Sequence, residues 1–295
     1  MLRLEGKVPK SQSRRHFVSA AMCAGAALLL PPRALATSQI RCGLTPVFLN
    51  NDLEILAALK GYLEVATGRS VQLVLRRTYQ EITSLLISGQ LDAAWICGFP
   101  FVANKAELAL VAVPVWRGQP LYQSYLITGD QRIAANIDGL NDDIHAFSDP
   151  DSNSGYLVTC ALLASKGLRP NSFFSRTFFA YGHRNVVRAV GAGLAHSGSV
   201  DGYVWEVMTV VEPELTRRTR VIYKSEWLGF PPIAAALGRA QATEVIALRQ
   251  ALIDMSQSDS GRGLLKLLYL DGFAGADASL FDDIAVKMEI VRRLG

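Results

Sequence analysis

The distribution of apolar residues in the first half of the chain predicts strands and helices in alternation. Residues 39–46, 71–75 and 91–96 form short apolar runs that are typical of buried strands. Residues 52–67 and 79–88 carry apolar side chains at helical spacing. This βαβαβ alternation predicts a parallel sheet, with the loops at the carboxyl ends of the strands gathered at one edge. The apolar side of the first predicted helix consists of Leu53, Leu56, Leu59, Leu63 and Ala66.

The second half of the chain predicts a further α/β unit. Strands are predicted over residues 109–116, 122–128, 145–148, 176–181, 200–204, 220–224 and 233–238, and helices over residues 99–107, 157–166 and 182–193. The rest of the chain predicts two or three helices, the last over residues 285–294.

These elements predict an α/β fold with two lobes. Residues 37–121 and 226–295 form the first lobe, and residues 122–225 form the second. The chain crosses between them near residues 118–124 and 222–230, and we expect these crossings to act as hinges. Hinged lobes of this kind enclose a ligand in the cleft between them.

The first 36 residues have the pattern of an export signal. Arg14 and Arg15 precede an apolar run that ends at Leu30, and an Ala-x-Ala sequence ends at Ala36. The paired arginines resemble a twin-arginine signal, which bacteria use to export folded chains. Because the apolar run is too short to span a bilayer comfortably, we expect cleavage after Ala36 and a mature chain in the periplasm.

The predicted signal also carries most of the net positive charge. The whole chain has 30 Lys and Arg residues against 26 Asp and Glu residues, so the mature chain is close to neutral. Nucleic acids and anionic membrane surfaces are bound by concentrated basic residues. We therefore expect neither as a partner.

A turn rich in Asp, Ser, Asn and Gly, residues 149–156, opens onto an apolar helix. Ser152 or Ser154 can cap that helix, and the first amide groups of a helix have no partner within it. Free amides with the helix dipole behind them bind anions, although the same turn also suits a helix that is merely well capped. His183 lies at a second strand-to-helix junction, so both helices can direct their amino ends into one crevice.

Three cysteines remain after the predicted signal is removed, so at least one is a free thiol unless chains cross-link. Cys97 follows a buried strand at the ligand edge, where two helix amino ends favour a thiolate. The alternative is that Cys97 is a small buried hydrophobic residue. Cys160 lies on the apolar side of a helix and is expected in the core, whereas Cys42 suits either the core or the cleft.

Enzymatic activity is not favoured by the sequence. Ser154, His183 and Asp201 are the residue types of a hydrolytic triad, but the serine does not lie in a Gly-x-Ser-x-Gly elbow. The mature chain has neither His-x-x-x-His nor Cys-x-x-Cys spacing for a metal. We expect a binding protein without a metal or cofactor.

Five segments in order along the chain resemble a known family. They are Tyr79-Gln80-Glu81-Ile82, Gly89-x-Leu91-Asp92-Ala93-Ala94-Trp95, residues 149–155, Tyr181-Gly182-His183 and Val200-Asp201-Gly202. Behind an export signal, they resemble the type II periplasmic solute-binding proteins of the phosphate/phosphonate-binding class, which are partners of ABC importers. The resemblance implies a two-lobed fold, each lobe a mixed sheet flanked by helices, with the ligand in the interlobe cleft.

The resemblance also implies roles for individual residues. In the family, a Ser-Thr-Ser-Gly-like turn holds the phosphonate oxygens, a His donates to them and a Tyr lines the cleft. Asn153 departs from this pattern, as does Cys97-Gly98 where Gly and a tyrosine hydroxyl are expected. Asp201 and Glu206 are candidates to hold the amine of an aminoalkylphosphonate. The predicted ligand-binding residues are Tyr79, Cys97, Gly98, Ser152, Asn153, Ser154, Gly155, His183 and Asp201.

Two functions are open at this point. The first is a monomeric exported protein that captures phosphate, phosphite or phosphonate for the permease of an ABC importer. The second is suggested by a resemblance to the arsenite-sensing branch of the superfamily, in which a cleft cysteine binds As(III) and the protein signals to a membrane histidine kinase. Soft sulfur suits arsenite, so Cys97 is the candidate As(III) ligand.

Overall fold

A computed structural model describes residues 39–46 and 53–294 of the chain. The predicted signal, residues 1–36, lies outside the described residues. Among the residues that are described, no helix is long and apolar enough to cross a membrane.

The described part of the chain folds into strands and helices in close alternation. The strands are β1 (Ile40–Leu44), β2 (Val71–Leu75), β3 (Ala93–Trp95), β4 (Leu108–Val115), β5 (Leu121–Tyr122), β6 (Ser124–Gly129), β7 (Ile144–Phe147), β8 (Arg176–Phe179), β9 (Ser197–Asp201), β10 (Thr219–Lys224), β11 (Leu228–Gly229), β12 (Ile233–Ala236) and β13 (Gly272–Ala274). The α-helices are α1 (Leu53–Thr67), α2 (Tyr79–Ile87), α3 (Gly98–Ala103), α4 (Val158–Ala164), α5 (Pro170–Phe173), α6 (His183–Gly191), α7 (Gly202–Val211), α8 (Pro213–Thr216), α9 (Thr243–Ile253), α10 (Asp259–Leu268) and α11 (Asp282–Arg293).

Two mixed sheets organise these elements, which confirms the predicted α/β class. The first sheet has the strand order β13-β4-β12-β3-β1-β2, with β1 parallel to β2 and β3, and with β12 antiparallel to β3 and β4. The second has the order β10-β6-β9-β7-β8, with β7 parallel to β8 and β9. We call these sheets, with their helices, lobe 1 and lobe 2; their exact boundaries along the chain stay a prediction.

The two crossings between the lobes pair with each other. Strand β5 leads from lobe 1 into lobe 2, β11 leads back, and the two form a small antiparallel sheet in which Leu228 pairs with Tyr122. The backbone of β11 packs closely against the segment before α11, because a Cβ added at Gly229 would lie 2.8 Å from the carbonyl oxygen of Leu280. The crossings therefore form one structural unit.

The buried face of α1 differs from the predicted one. Ile55, Leu59, Tyr62 and Leu63 are buried, whereas Leu53 is 81% exposed and Ala66 is also exposed. The Tyr62 hydroxyl donates to the carbonyl oxygen of Ala251 on α9. Tyr62, an aromatic residue with a polar hydroxyl, therefore belongs to the packed face. The prediction counted mainly leucines and so placed the buried face at the wrong angle around the helix.

The strand predicted over residues 200–204 was also wrong in its position. The strand is β9, which begins three residues earlier and ends at Asp201. The side chain of Asp201 accepts the backbone N–H of Val204 and thereby caps α7, so Gly202 and Tyr203 are helical. Strand β13 was missed because three residues carry too little periodicity to detect.

Candidate functional site

Five chain segments meet where the two lobes face each other. Lobe 1 contributes the amino ends of α2 and α3, and lobe 2 contributes the turn before α4 and the amino ends of α6 and α7. The side chains that they bring together are no more than 2% exposed: Tyr79, Cys97, Asp149, Ser152, Asn153, Ser154, His183 and Asp201. The structure thus gathers predicted site residues from both lobes into one buried polar cluster, and we call this cluster the cleft site.

The turn before α4 is capped by Ser152. Its hydroxyl accepts the backbone N–H of Gly155 at 3.0 Å, and residues Asn153–Leu157 form a π-helical turn that continues into α4. The backbone N–H of Asn153 donates to Cys97 Sγ at 3.2 Å. These two amides are therefore already partnered, so the expectation that the first amides of this helix stay free is wrong for Asn153 and Gly155.

Three buried side-chain oxygens in this turn or directly before it, those of Ser148, Asn153 and Ser154, have no hydrogen bond of normal geometry among the described residues. Ser148 Oγ has no hydrogen-bond partner among the described residues, and Ser154 Oγ lies beside the Tyr122 phenol without a hydrogen bond of normal geometry. Both serines are buried. Since a buried hydroxyl without a partner is unfavourable, these two oxygens are candidate contacts for a polar ligand.

Gly155 lies where the side chains of Ser148 and His183 approach the backbone of this turn. A Cβ at this position would lie 1.9 Å from Ser148 Oγ and 3.0 Å from His183 Cε1. Glycine is therefore required here because Ser148 and His183 approach its backbone too closely for any side chain. Sequence reasoning missed Ser148, although its position at the carboxyl end of β7, on the edge where ligands bind, was a signal that could have found it.

His183 begins α6 and contacts both lobes. Its Nδ1 accepts the backbone N–H of Asp201 at 3.0 Å, and its Nε2 lies 3.2 Å from Tyr79 Oη. Because Nδ1 accepts, the neutral ring carries its proton on Nε2 and donates to Tyr79. Burial lowers the pKa of His183 to about 3. The ring is therefore a neutral donor rather than a cation.

Three hydrogen bonds of the cleft site cross from one lobe to the other. Tyr79 Oη accepts from His183, the backbone N–H of Tyr79 donates to Asp149 Oδ2 at 3.3 Å, and the backbone N–H of Asn153 donates to Cys97 Sγ. Burial raises the pKa of Asp149 to about 6. These bonds hold the lobes in a closed arrangement.

Cys97 lies in the cleft site, but it is not a thiolate. Burial raises the pKa of its thiol to about 12, and this effect outweighs the hydrogen bonds from the backbone of Asn153 and Phe99 that act in the opposite direction. The predicted thiolate was therefore wrong, because loss of hydration destabilises the charged form more than the hydrogen bonds from the nearby amides stabilise it. Gly98 follows at the start of α3, and its lack of a side chain is explained by Ile284, which would lie 2.6 Å from a Cβ.

The other two cysteines lie away from the cleft site. Cys42 in β1 and Cys160 in α4 are buried free thiols, as is Cys97. Burial raises the pKa of each to about 12. All three are therefore protonated near neutral pH.

Of the two candidate carboxylates, only Asp201 belongs to the cleft site. Its Oδ1 accepts the Val204 N–H at 3.3 Å, and burial raises its pKa to about 8. Glu206 lies instead beside the crossings, where it binds Arg117, Tyr125 and Lys224. Glu206 lies one turn of α7 beyond Asp201 and faces the cationic side chains at the crossings, so its expected role at the ligand is withdrawn.

The cleft site can bind an anion through neutral donors. The donors that can turn to a ligand are serine hydroxyls and the Tyr79 phenol, since the one N–H of the neutral His183 ring already donates to Tyr79 Oη. Hydrogen bonds to an ionised acceptor are about twice as strong as those between neutral groups. Within residues 39–46 and 53–294, no group of three or more His, Cys, Asp or Glu side chains is placed to hold a metal ion.

Comparison with known proteins identifies the family. Residues 42–281 match the periplasmic substrate-binding proteins of phosphonate ABC transporters. The phosphate-import protein PhnD of Mycolicibacterium smegmatis is 28% identical over 237 residues, which cover 75% of this chain and 70% of that protein.

Solved structures agree on the fold. A binding protein component of a phosphonate ABC transporter from Pseudomonas aeruginosa has a TM-score of 0.79 at 20% identity and 88% coverage of both chains. PhnD1 of Prochlorococcus marinus in complex with methylphosphonate has a TM-score of 0.75 at 17% identity, with 87% of this chain and 98% of that chain covered. The fold is therefore that of a type II periplasmic binding protein, and the chain belongs to the family of periplasmic substrate-binding proteins of phosphonate ABC transporters.

Proposed function

We propose that this protein captures a small tetrahedral phosphorus oxyanion between its two lobes and delivers it to the permease of an ABC importer. The ligand has the size of phosphate, phosphite or methylphosphonate. The observation that carries this proposal is a pair of buried hydroxyls: that of Ser148 has no partner in the described part of the chain, and that of Ser154 lies beside the Tyr122 phenol without a hydrogen bond of normal geometry. They lie in the turn that contacts His183 and faces Tyr79 of the opposite lobe.

Membership of the family confirms that this is a substrate-binding protein and not an enzyme. The residue types of a triad are present but occupied otherwise, since His183 Nδ1 accepts the Asp201 backbone and not a carboxylate. A ligand that contacts both lobes stabilises the closed arrangement because it prefers that state. Closure then presents one surface to the permease.

Two relatives support the chemical class of the ligand. The Mycolicibacterium smegmatis relative is a phosphate-import protein, and the Prochlorococcus marinus structure contains methylphosphonate. Both ligands offer tetrahedral phosphorus oxygens that suit short serine hydroxyls and the Tyr79 phenol.

The walls of the cleft site favour a ligand without an amine arm. Tyr122 Oη accepts from Asn153 Nδ2 at 2.8 Å, and Tyr203 Oη donates to the carbonyl oxygen of Leu268. Both aromatic side chains are buried and held in place. Because Glu206 binds cations elsewhere, a second carboxylate from α7 does not reach the site to hold an ammonium group.

The cellular setting is part of the proposal. Residues 1–36 resemble a twin-arginine export signal, and the proteins of the family are described as periplasmic. We infer export, cleavage after Ala36 and action as a monomer in the periplasm.

Thermal unfolding of the purified, reduced protein tests the proposed ligand class. Phosphate, phosphite, methylphosphonate, aminoethylphosphonate and sulfate are added in turn. A ligand at about 100 times its dissociation constant adds about 2.7 kcal/mol to the free energy of unfolding. We expect this stabilisation from at least one of the first three ligands.

A double variant, Ser148→Ala with Ser154→Ala, decides whether the hydroxyls carry the binding. It should lose the ligand-induced shift and still unfold cooperatively. Ser165→Ala is the matched control, because the Ser165 hydroxyl donates to Ala161 at the end of α4, outside the site. The proposal fails if no phosphorus oxyanion stabilises the parent, or if the double variant responds as the parent does.

A further inference from the structure

The carboxyl group of Asp201 has an oxygen that takes no part in capping α7. Its backbone N–H donates to His183 Nδ1, its Oδ1 caps α7 through Val204, and the backbone N–H of Tyr203 also stabilises the ionised carboxyl group. Its second oxygen, Oδ2, has no hydrogen-bond partner among residues 39–46 and 53–294. The residue is 1% exposed. A buried carboxyl oxygen without a partner is costly when ionised, so the free protein favours the protonated acid.

The neighbours of this carboxyl group supply donors but no counter-charge. Tyr79 from α2, Cys97 before α3, Tyr122 from β5 and Tyr203 from α7 are the ionisable side chains coupled to it. Each is a neutral O–H or S–H group whose pKa burial raises. An oxyanion that arrives among them brings negative charge close to Asp201, and two ionised groups without a shared proton would repel each other.

We propose that Asp201 and the bound oxyanion share a single proton, which Oδ2 donates to a fully ionised ligand or accepts from a singly protonated one. This inference rests on the proposed function, since it concerns the same ligand. Asp201 then determines specificity: the site accepts an oxyanion only when ligand and carboxyl group together hold one proton. Only the bond to this proton is formed or broken. Donation from Asp201 to a fully ionised ligand and acceptance from a singly protonated ligand therefore give the same complex.

Other groups around the site do not titrate where Asp201 does. Burial lowers the pKa of His183 to about 3 and raises that of Asp149 only to about 6, so neither changes charge above pH 7.5. The thiol and phenols next to Asp201 lose their protons only at higher pH, because burial raises the pKa of Cys97 to about 12 and that of Tyr79 well above 10. Between pH 7.5 and 9.5, a change in the affinity of the cleft site for the oxyanion therefore reports the titration of Asp201, whose pKa burial raises to about 8.

Asp201→Asn separates the shared proton from the cap. Asparagine keeps an Oδ1 acceptor for Val204 and the backbone N–H for His183, but its amide donates at every pH. Asp143→Asn is the matched control. Asp143 is also a buried carboxyl group of lobe 2, but it binds Arg132, away from the cleft site.

Isothermal titration of phosphite from pH 7.5 to 9.5 tests the proposal, because phosphite is a dianion throughout the upper part of that range. Between pH 8.5 and 9.5 we expect the affinity of the parent and of Asp143→Asn to fall about tenfold, and that of Asp201→Asn to change less than twofold. At pH 9, titrations in two buffers of different ionisation enthalpy should show close to one proton taken up by the parent and none by Asp201→Asn.

The outcomes distinguish failure of the shared proton from failure of the proposed function. If the parent binds phosphite with a constant affinity across the range, or if Asp201→Asn loses affinity in parallel with it, the shared proton is overturned and the ligand class stands. Loss of phosphite binding at pH 8 by a folded Asp201→Asn protein also overturns it, because a permanent donor suits the dianion. If neither phosphite, phosphate nor methylphosphonate binds the parent at pH 7.5, the proposed function itself fails.

Discussion

Tyr79 Oη lies 3.2 Å from His183 Nε2, and this contact joins the first residue of α2 to the first residue of α6 across the cleft. The backbone of Asp201 holds His183 Nδ1, so the ring donates to the phenol from Nε2. The phenol donates its own hydrogen to the carbonyl oxygen of Pro46, at the long distance of 3.5 Å. On the proposed function, a bound oxyanion replaces Pro46 as the acceptor, and its binding would link lobe 1 to lobe 2 through a continuous chain of hydrogen bonds.

Tyr79→Phe should weaken binding of the phosphorus oxyanion and leave the fold intact. A hydrogen bond to a charged group contributes about 1.5–3 kcal/mol, so we expect the dissociation constant to rise by roughly ten- to a hundredfold. Isothermal titration measures the change. Tyr125→Phe is the control, because the Tyr125 hydroxyl donates to Glu206 outside the cleft site. Equal affinity of the two variants would show that the Tyr79 phenol does not contact the ligand.

Gly155→Ala should abolish the anion site through steric conflict. Its Cβ would lie 1.9 Å from Ser148 Oγ, and relief of that overlap displaces Ser148 from the turn. Overpacking of this kind costs about 1–3 kcal/mol of stability. Thermal unfolding with and without phosphite should show a lower midpoint and no response to ligand.

Gly61→Ala is the matched control for this substitution, since nothing lies within 4 Å of its Cβ position on α1. Alanine also favours the helix there by up to about 1 kcal/mol. A Gly155→Ala protein that binds phosphite like the Gly61→Ala protein would contradict the close packing of Ser148 against the turn.

Without ligand, the protein should lose stability as the pH rises from 6.5 to 8. Burial raises the pKa of Asp201 to about 8, so the folded chain binds this proton more tightly than the unfolded chain, and the stabilisation disappears as pH approaches 8. Asp149, with a pKa of about 6, acts in the same direction at lower pH. His145 and His183, whose pKa values burial lowers to about 3, act oppositely, but only below about pH 6.5.

The midpoint of thermal unfolding, measured in this window, checks that sign. The parent should lose stability with rising pH, and Asp201→Asn should lose clearly less. Parallel curves would show that Asp201 does not keep its proton in the folded state.

Cys97→Ala should bind phosphite within a few-fold of the parent, and arsenite should stabilise neither protein. The thiol is 1% exposed, and burial raises its pKa to about 12, so the nucleophilic thiolate is scarce near neutral pH. Labelling of the folded protein by a thiol reagent should be slow, and it should become fast on unfolding. Stabilisation of the parent by arsenite, and not of Cys97→Ala, would instead support the arsenite-sensing alternative.

Most of the fold was predictable because its signals are local. Apolar runs with helical or strand spacing correctly indicated β1 to β4, α2 and α6. Prediction failed where a side chain decided the boundary. Asp201 ends β9 and starts α7 by binding a backbone N–H three residues ahead, and a strand pattern continues past that position in the sequence.

The sequence by itself determined the α/β class, the turn over residues 149–156 and the presence of His183 and Asp201 after later strands. Only the tertiary structure decided what these residues can do chemically. Tyr79 and His183 are 104 positions apart, and Cys97 and Asn153 are 56 apart, so their contacts follow from how the two lobes meet. The charge of a buried acid, thiol or imidazole depends on the water removed and the partners supplied by distant segments. For that reason the same sequence pattern that predicted a thiolate at Cys97 leads, once folded, to a neutral thiol beside a protonated carboxyl group.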